Sequence, residues 1–246
     1  MIKNSFIFLE KISNQGEKKL WQQGITNWQE FLNSDKIKGI SSLRKKYYCR
    51  KLQEVQQALL EENYSYFRGK LPQMEMWRLY NYCKDECCYL DVEIDEQGRI
   101  ILVGISDYYN TNFFLHGFNL SKKLIELELS KYKAVITFNG SSFDLPKLKK
   151  MGININQIHI DLKQLSTNLG LTGGLKEIER RLELKRPEHL YGNPVNLWRS
   201  FHASGDREYL DLLIEYNRED VENLKQIMEY VYKKMKEKLY KEINSL

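Results

Sequence analysis

Residues 88–107, CYLDVEIDEQGRIILVGISD, contain the strongest indication of β-structure in this chain. From 88 to 94, apolar side chains alternate with polar or acidic ones, which is the period of a β-strand. The Gln-Gly pair at 97–98 predicts a turn, and the largely apolar run over 99–106 predicts a second strand near the centre of a sheet. Because so short a turn joins antiparallel neighbours, the stretch predicts a β-hairpin.

On the C-terminal side of this hairpin the pattern changes to alternating helices and strands. Residues 107–111 predict another turn and residues 112–118 a third strand, which extends the hairpin to an antiparallel meander. Helices are expected over 121–131, 143–150, 163–169, 174–183, 194–202 and 207–243, with strands over 134–138 and 158–160. Together these elements predict an α/β fold with a mixed β-sheet flanked by helices.

The N-terminal third of the chain has a different character. An apolar stripe that includes Trp21, Ile25 and Trp28 recurs at helical spacing, and a second such stripe follows it. Residues 1–80 hold 14 basic and 8 acidic residues, a net charge of +6, whereas residues 81–246 carry −1 of the total of +5. We therefore expect a small, basic helical region over 1–80 and a separate domain over 81–246.

The composition excludes several classes of protein. With 246 residues, 42% of them hydrophobic and 29% charged, the chain is typical of a globular protein with one sizeable core. Its longest apolar runs fall far short of the roughly 20 residues of a membrane span, so we expect no membrane association. Four cysteines without a C-x-x-C pair argue against a disulfide scaffold. We expect a reducing, cytoplasmic setting and no obligate protein partner.

A basic segment between residues 36 and 51 carries much of the positive charge. Its seven basic residues are Lys36, Lys38, Arg44, Lys45, Lys46, Arg50 and Lys51. No acidic residue interrupts them, and Tyr47 and Tyr48 lie among them. Cations release counterions from phosphates and aromatic rings stack on bases, which favours nucleic acid as a partner. A solvated helix face accounts for the same residues equally well.

The first of three acidic patterns is Asp91-Val92-Glu93. Residues two apart on a strand project to the same face, so both carboxylates point to one spot. Adjacent acids repel unless a cation neutralises them, and carboxylate oxygens suit a hard divalent ion such as Mg²⁺ or Mn²⁺. The alternative is a solvent-facing acidic strand, to which Asp95 adds a further carboxylate.

The other two patterns lie at a strand-to-helix turn and on the last helix. Asp144 ends the run NGSSFD at 139–144, where it either faces a functional site or serves as an ordinary residue of the first helical turn. Tyr216 and Asp220 are four residues apart and share one helix face. Apolar residues surround that face, so its carboxylate needs a partner. A surface ion pair with a neighbouring Lys or Arg is the alternative.

Together the three patterns predict a metal-dependent site at one edge of the sheet. Its carboxylates are Asp91, Glu93, Asp144 and Asp220. Four carboxylates are enough to hold two divalent ions about 4 Å apart, and such a pair activates water and stabilises the leaving oxygen of a phosphodiester. The hydroxyl of Tyr216, one helical turn before Asp220, is suited to orienting that water.

In this order the motifs resemble the DEDD superfamily of 3′–5′ exonucleases, tyrosine subtype, and more closely its YprB-like branch. The resemblance is carried by YLDVE at 89–93, ITFNGSSFDLPKL at 136–148, HIDLKQL at 159–165, GGLKEIERRL at 173–182 and YNREDVENL at 216–224. It implies a ribonuclease-H-like fold over about residues 85–230. It also implies 3′–5′ hydrolysis of phosphodiester bonds at a single-stranded DNA or RNA end.

The resemblance further implies roles for individual residues. The implied ligands of two Mg²⁺ or Mn²⁺ ions are Asp91, Glu93, Asp144 and Asp220. Tyr216 would orient the attacking water, and Asn139 and Phe143 would shape the substrate groove. Ile94 departs from the pattern, because many relatives have Thr there, and this alters contact with the terminal nucleotide. Asp161 we interpret as a helix N-cap.

Two other functions stay open at this stage. One is a structure-selective endonuclease on the same fold, which a circular single strand distinguishes from an exonuclease. The other is a nucleic-acid-binding module with little catalysis, which would bind strands without metal-stimulated cleavage.

Overall fold

The structure is a computed structural model that describes residues 1–107 and 109–245. Two compact units make up the chain: one holds residues 1–83 with the chain from 232 onwards, and the other holds Lys84–Val231. The α-helices are α1 (Asn14–Trp21), α2 (Trp28–Asn33), α3 (Ser42–Leu60), α4 (Tyr80–Cys83), α5 (Lys122–Leu129), α6 (Asp144–Lys150), α7 (Leu162–Asn168), α8 (Leu175–Arg181), α9 (Pro194–Ser204) and α10 (Glu208–Asn244). In the described ranges, no helix has both the length and the hydropathy that crossing a bilayer requires.

A five-stranded mixed sheet forms the centre of the second unit. Its strands are β1 (Cys87–Ile94), β2 (Ile100–Ser106), β3 (Thr111–Leu115), β4 (Ala134–Thr137) and β5 (Ile158–Asp161). They lie in the order β3-β2-β1-β4-β5. Strands β1 to β3 are an antiparallel meander, while β4 pairs parallel with β1, and β5 pairs parallel with β4. The predicted α/β fold, a meander followed by alternating helices and strands, is confirmed.

Alternation along the strands gives this sheet two different faces. On one face Leu90 and Val92 belong to an apolar cluster with residues of α5 and α6. On the other face Leu102, the β2 partner of Glu93, packs with residues of α9 and α10. Because successive side chains of a strand point to opposite faces, Asp91 and Glu93 lie on the face that carries α10. The acid-bearing face of β1 is therefore covered and is not a solvent-facing strand.

Aromatic side chains form the core of the first unit. The rings of Phe6 and Phe31 have centroids 5.5 Å apart, and the indole of Trp28 donates a hydrogen bond to a backbone carbonyl over 2.6 Å. A buried ion pair joins Arg78 to Glu17 over 3.2 Å. The predicted helical character of the N-terminal region is confirmed.

The first apolar stripe of this region does not form one helix. Gly24 adopts a φ of +79°, a left-handed conformation that ends the segment following α1. Asn27 then caps α2, and the side chain of Glu30 completes a capping box. Trp21 and Trp28 are thus on separate helices, although both are buried. The apolar stripe thus indicates which side chains are buried. The bounds of the helices depend on Gly24 and on the Asn27 cap.

The third strand is shorter than predicted, because β3 ends at Leu115 rather than at residue 118. The side chain of Asn119 donates to the carbonyl of Phe113 over 2.9 Å and accepts from the amide of Leu115 over 2.7 Å. Gly117 has a φ of +79°. These local bonds replace ladder hydrogen bonds and turn the chain toward α5.

Candidate metal centre

Three carboxylates meet on the sheet face that carries α10. Asp91 and Glu93 come from β1, and Asp220 comes from α10. Each offers one oxygen, and the three oxygens lie within 4.8 Å of one another. Strand alternation places the first two side by side, and the helix that covers the face supplies the third.

Asp95, which the alternation also assigned to this face, does not join the group. The register between β1 and β2 shifts after Glu93, so β1 ends at Ile94. The Oδ1 atom of Asp95 instead accepts hydrogen bonds from the backbone amides of Gln97 and Arg99, each over 2.9 Å. Asp95 therefore stabilises the turn between the two strands.

Burial and mutual repulsion disfavour the charged forms of the clustered acids. Burial, followed by the charges of Glu93 and Asp144, raises the pKa of Asp91 well above its usual range. Burial and the charges of Asp220 and Asp144 raise the pKa of Glu93 to about 8. Burial also raises the pKa of Asp220 to about 6, although Arg186 opposes the shift. The positive charge of Arg186 therefore compensates the three carboxylates only in part.

Asp144 lies beside this group of three rather than in it. It is the first residue of α6, and its Oδ1 accepts a hydrogen bond from the amide of Val92 over 2.9 Å. The residue is 1% exposed, and burial raises its pKa to about 7. The N-cap of α6 is Phe143, which makes no side-chain cap bond. The carboxylate of Asp144 thus faces β1 instead of serving only the start of its own helix.

Asn217 fixes the position of Asp91, and we assigned it no role from the sequence. Its Nδ2 donates to Oδ2 of Asp91 over 2.7 Å, and the residue is completely buried. Gly104 is the partner of Asp91 in the β1–β2 register. A Cβ at Gly104 would lie 1.9 Å from Oδ1 of Asn217. The absence of a side chain on β2 therefore makes room for the amide that holds Asp91.

Tyr216 lies one turn before Asp220, and two cations lie close to its ring. Nζ of Lys176 is 4.4 Å from the centroid of its ring, and Cζ of Arg186 is 5.4 Å from it. Burial, followed by the charges of Asp220 and Glu93, raises the pKa of Tyr216 far above its usual range. The hydroxyl accordingly keeps its proton and remains a hydrogen-bond donor.

A buried network of ion pairs and hydrogen bonds surrounds Asp220. This network was not predicted from the sequence. Nη2 of Arg186 donates to Oδ1 of Asp220. Nε and Nη2 of Arg186 also donate to Glu179, over 3.0 and 2.9 Å, and Asn223 donates to Glu179 over 2.9 Å. The side chain of Arg186 is 0% exposed and lies 34 residues before Asp220. The ion pair of Asp220 is therefore neither at the surface nor with a sequence neighbour.

The turn that leads to Asp144 is held by Asp161. Asn139 has a φ of +68°, and its amide and that of Ser141 donate to the carboxylate of Asp161 over 2.9 and 3.0 Å. Asp161 also caps α7, as expected. Asn139 and Phe143, the predicted substrate-groove residues, are both half-buried on this turn.

The predicted basic segment lies in the other unit. Lys36 and Lys38 are in the loop before α3, and Arg44, Lys45, Lys46, Arg50 and Lys51 are on α3. A groove of about 1070 Å³ runs along this part of α3 and is lined by Arg44, Lys46 and Arg50 among others. Lys51 is paired with Glu54 over 2.8 Å.

Of the two tyrosines in this segment, only Tyr47 presents a partly accessible ring. Tyr48 is 2% exposed, and its hydroxyl donates to the carbonyl of Glu10 over 2.6 Å. Tyr47 is half-buried, and its hydroxyl donates to the carboxylate of Glu10 over 2.7 Å. Tyr48 thus belongs to the core and is not accessible for stacking on a base.

The donor set of the carboxylate cluster fits a hard divalent cation. Within the part of the chain that the structure describes, the group contains only carboxylate ligands and no His or Cys. Mg²⁺ and Mn²⁺ prefer oxygen ligands, and either would neutralise the charge that burial makes unfavourable. Asp91, Glu93 and Asp220 would hold the ion, with Asp144 adjacent to them.

This fit predicts that divalent cations stabilise the folded protein. At a Mn²⁺ concentration 100-fold above its Kd, we expect the melting temperature to rise by about 5–10 °C relative to the protein in EDTA. Asp91→Asn removes one ligand and should eliminate most of this rise, whereas Asp95→Asn, in the nearby turn, should retain it. Thermal unfolding followed by circular dichroism measures all three. An equal rise in Asp91→Asn and in the wild type would contradict the site.

Comparison with known proteins adds one finding. A family model described as RNase_H superfamily matches residues 88–232, which is more than half of the chain. The matched range contains the sheet except for Cys87, the first residue of β1, and it includes Asp91, Glu93, Asp144 and Asp220. No match was found among curated proteins.

Proposed function

The chain belongs to the RNase H superfamily, and from this we propose that it is a 3′–5′ exonuclease. In this proposal it hydrolyses phosphodiester bonds at single-stranded DNA or RNA ends, and it is a DEDD enzyme of the tyrosine subtype from the YprB-like branch. Membership of the superfamily supports an α/β nuclease domain that acts on nucleic acid. The acidic cluster supports the metal-dependent exonuclease activity.

The observation that carries the proposal is the convergence of carboxylates from separate elements. Asp91 and Glu93 on β1 and Asp220 on α10 offer oxygens within 4.8 Å of one another, and Asp144 bonds to the backbone of the same strand. Acids buried so close together destabilise a fold unless a cation compensates them. Two divalent ions, Mg²⁺ or Mn²⁺, are the proposed cofactors.

Each residue around the cluster has a proposed role. Divalent ions bound by the four acids would supply an activated water and charge stabilisation at the leaving oxygen. Tyr216 keeps its proton and orients the attacking water from its hydroxyl. Asn217 fixes the Asp91 carboxylate, while Asn139 and Phe143 line the groove for the terminal nucleotide.

The basic helical region is proposed to bind the strand. Its cations, from Lys36 and Lys38 to Lys51, are suited to phosphate. Four of them, Arg44, Lys45, Lys46 and Arg50, line the groove along α3. In this proposal residues 1–80 are the accessory region and residues 81–246 are the nuclease domain. The four free cysteines support a reducing, cytoplasmic setting.

Digestion of end-labelled strands tests the reaction and its direction together. With 5′-labelled single-stranded DNA or RNA and Mn²⁺, we expect a stepwise ladder of shortened products. A blocked 3′ end should abolish the ladder, because the enzyme attacks from that end, whereas a blocked 5′ end should leave it unchanged. EDTA should stop the reaction under every condition.

The two competing functions give different outcomes in the same assay. A structure-selective endonuclease would cut a circular single strand, which an exonuclease leaves intact. A binding module would shift the mobility of the strand without any metal-stimulated product. Either result would overturn the proposed exonuclease.

A further inference from the structure

The metal centre contains a cation of its own. Arg186 donates through Nη2 to Oδ1 of Asp220, the acid that α10 supplies. The guanidinium carries its charge at any pH at which the protein is folded. One oxygen of a proposed metal ligand is thus already occupied by a positive group.

Glu179 and Asn223 hold the guanidinium of Arg186 in place. Two N–H groups of Arg186 bond to Glu179 over 3.0 and 2.9 Å, and Asn223 fixes Glu179 over 2.9 Å. The side chains of Arg186 and Glu179 are 0% and 3% exposed. Arg186 cannot move into solvent without leaving the buried Glu179 without a counter-ion, so the charge of Arg186 stays beside Asp220.

We propose that Arg186 is a resident counter-ion of the metal centre. Its guanidinium binds one carboxylate oxygen of Asp220 and thereby lowers the affinity of the site for divalent cations. This inference rests on the proposed metal site. It assigns to Arg186 a role that acts through Asp220, without contact with the substrate. The concentration of Mg²⁺ or Mn²⁺ that the protein requires is then set partly by this arginine.

Two effects of Arg186 on metal binding have opposite signs. The guanidinium orders the Asp220 carboxylate, and ordering one short side chain is worth less than about tenfold in affinity. The guanidinium also repels a divalent ion bound to the same carboxylate, and at a few ångströms inside a protein this repulsion exceeds about tenfold. Repulsion is therefore the larger effect, and removing the charge should tighten metal binding.

Calorimetric titration of Mn²⁺ into the full-length, nucleic-acid-free protein tests this inference. Arg186→Gln retains a polar side chain without the charge, and we expect it to bind Mn²⁺ about tenfold more tightly than the wild type. Arg186→Lys retains the charge without the two-point contact, and its affinity should stay close to that of the wild type. Equal or weaker binding by Arg186→Gln, or the same gain in Arg186→Lys, would overturn the counter-ion role.

A second variant protects the test against misfolding. If Arg186→Gln does not fold, Glu179→Gln combined with Arg186→Gln removes both members of the Arg186–Glu179 pair, so that no buried charge remains at position 179. Because Arg186 contacts Asp220 directly, the double variant should still bind Mn²⁺ more tightly, by a smaller factor. Unchanged or weaker binding in the double variant would equally overturn the proposal.

The same titration separates this inference from the proposed function. Asp91→Asn in an otherwise wild-type chain should lose Mn²⁺ binding if the carboxylate cluster is the metal site. If the wild type binds no Mn²⁺, or if Asp91→Asn binds it normally, the proposed metal site fails. If both behave as expected and only the Arg186 variants do not, the counter-ion role alone fails.

Discussion

Asp220→Asn is expected to lower the rate of metal-dependent cleavage at least about a thousandfold, because metal-assisted charge stabilisation is worth several kcal/mol. The substitution keeps the size of the side chain but removes the carboxylate that α10 contributes to the cluster. Asp91→Asn should have an effect of the same size, since it removes a carboxylate that β1 contributes to the same cluster. Digestion of labelled single strands with Mn²⁺ measures both rates.

The matched control is Glu222→Gln on the same helix. Glu222 is exposed and accepts a hydrogen bond from Thr111 over 2.9 Å, outside the cluster. Glu222→Gln should keep its activity within about twofold of the wild type, because substitution of an exposed polar residue generally has little effect on stability. Strand binding by the basic region should survive in all three variants, as gel-shift experiments would show. Wild-type cleavage by Asp220→Asn in a folded protein would refute the assignment of the site.

The parts of the site that sequence reasoning predicted depend on short-range geometry. The i, i+2 spacing of Asp91 and Glu93 requires only that the segment be a strand, and the four-residue spacing of Tyr216 and Asp220 requires only a helix. The alternating elements after β3 then constrain the sheet order, because βα connections are short and regular. Local periodicity thus accounts for the fold class and for the three acids of the cluster.

The parts that sequence reasoning missed depend on contacts between distant segments. Arg186 lies in a loop after α8, and nothing in its neighbourhood shows that it reaches Asp220, 34 residues later. Gly104 looks like an ordinary small residue in an apolar strand, and its role appears only when α10 is packed across β2. Such contacts are set by the packing of elements, which the pattern of one element does not contain.

Backbone conformation produced the remaining differences. Asp95 continues the alternation of β1 in the sequence, but the register shift after Glu93 turns it into the loop. Gly24 interrupts a helical stripe whose apolar residues are nevertheless buried. In both places periodicity indicates which side chains are buried or share a face, whereas a local bond or a positive φ decides where the element ends.

Gly104→Ala is expected to damage stability and activity together. The added Cβ would lie 1.9 Å from Oδ1 of Asn217 and 3.2 Å from Cγ1 of Val221, and overpacking of this kind costs about 1–3 kcal/mol. Asn217 can relieve the clash only by giving up its 2.7 Å bond to Asp91. Loss of a contact that orients a metal ligand lowers activity by about 10–100-fold. Thermal unfolding and the cleavage assay measure the two effects.

A double variant tells whether the clash acts through Asn217. Asn217→Ala alone should lower activity by about 10–100-fold, because Asp91 loses the donor that fixes it. In Gly104→Ala combined with Asn217→Ala the new methyl group fills the space that the amide leaves. The double variant should therefore be more stable than Gly104→Ala alone, while its activity stays at the level of Asn217→Ala. If the losses of stability and of activity in the double variant are both additive, or if Gly104→Ala behaves like the wild type, the clash does not act through the bond between Asn217 and Asp91.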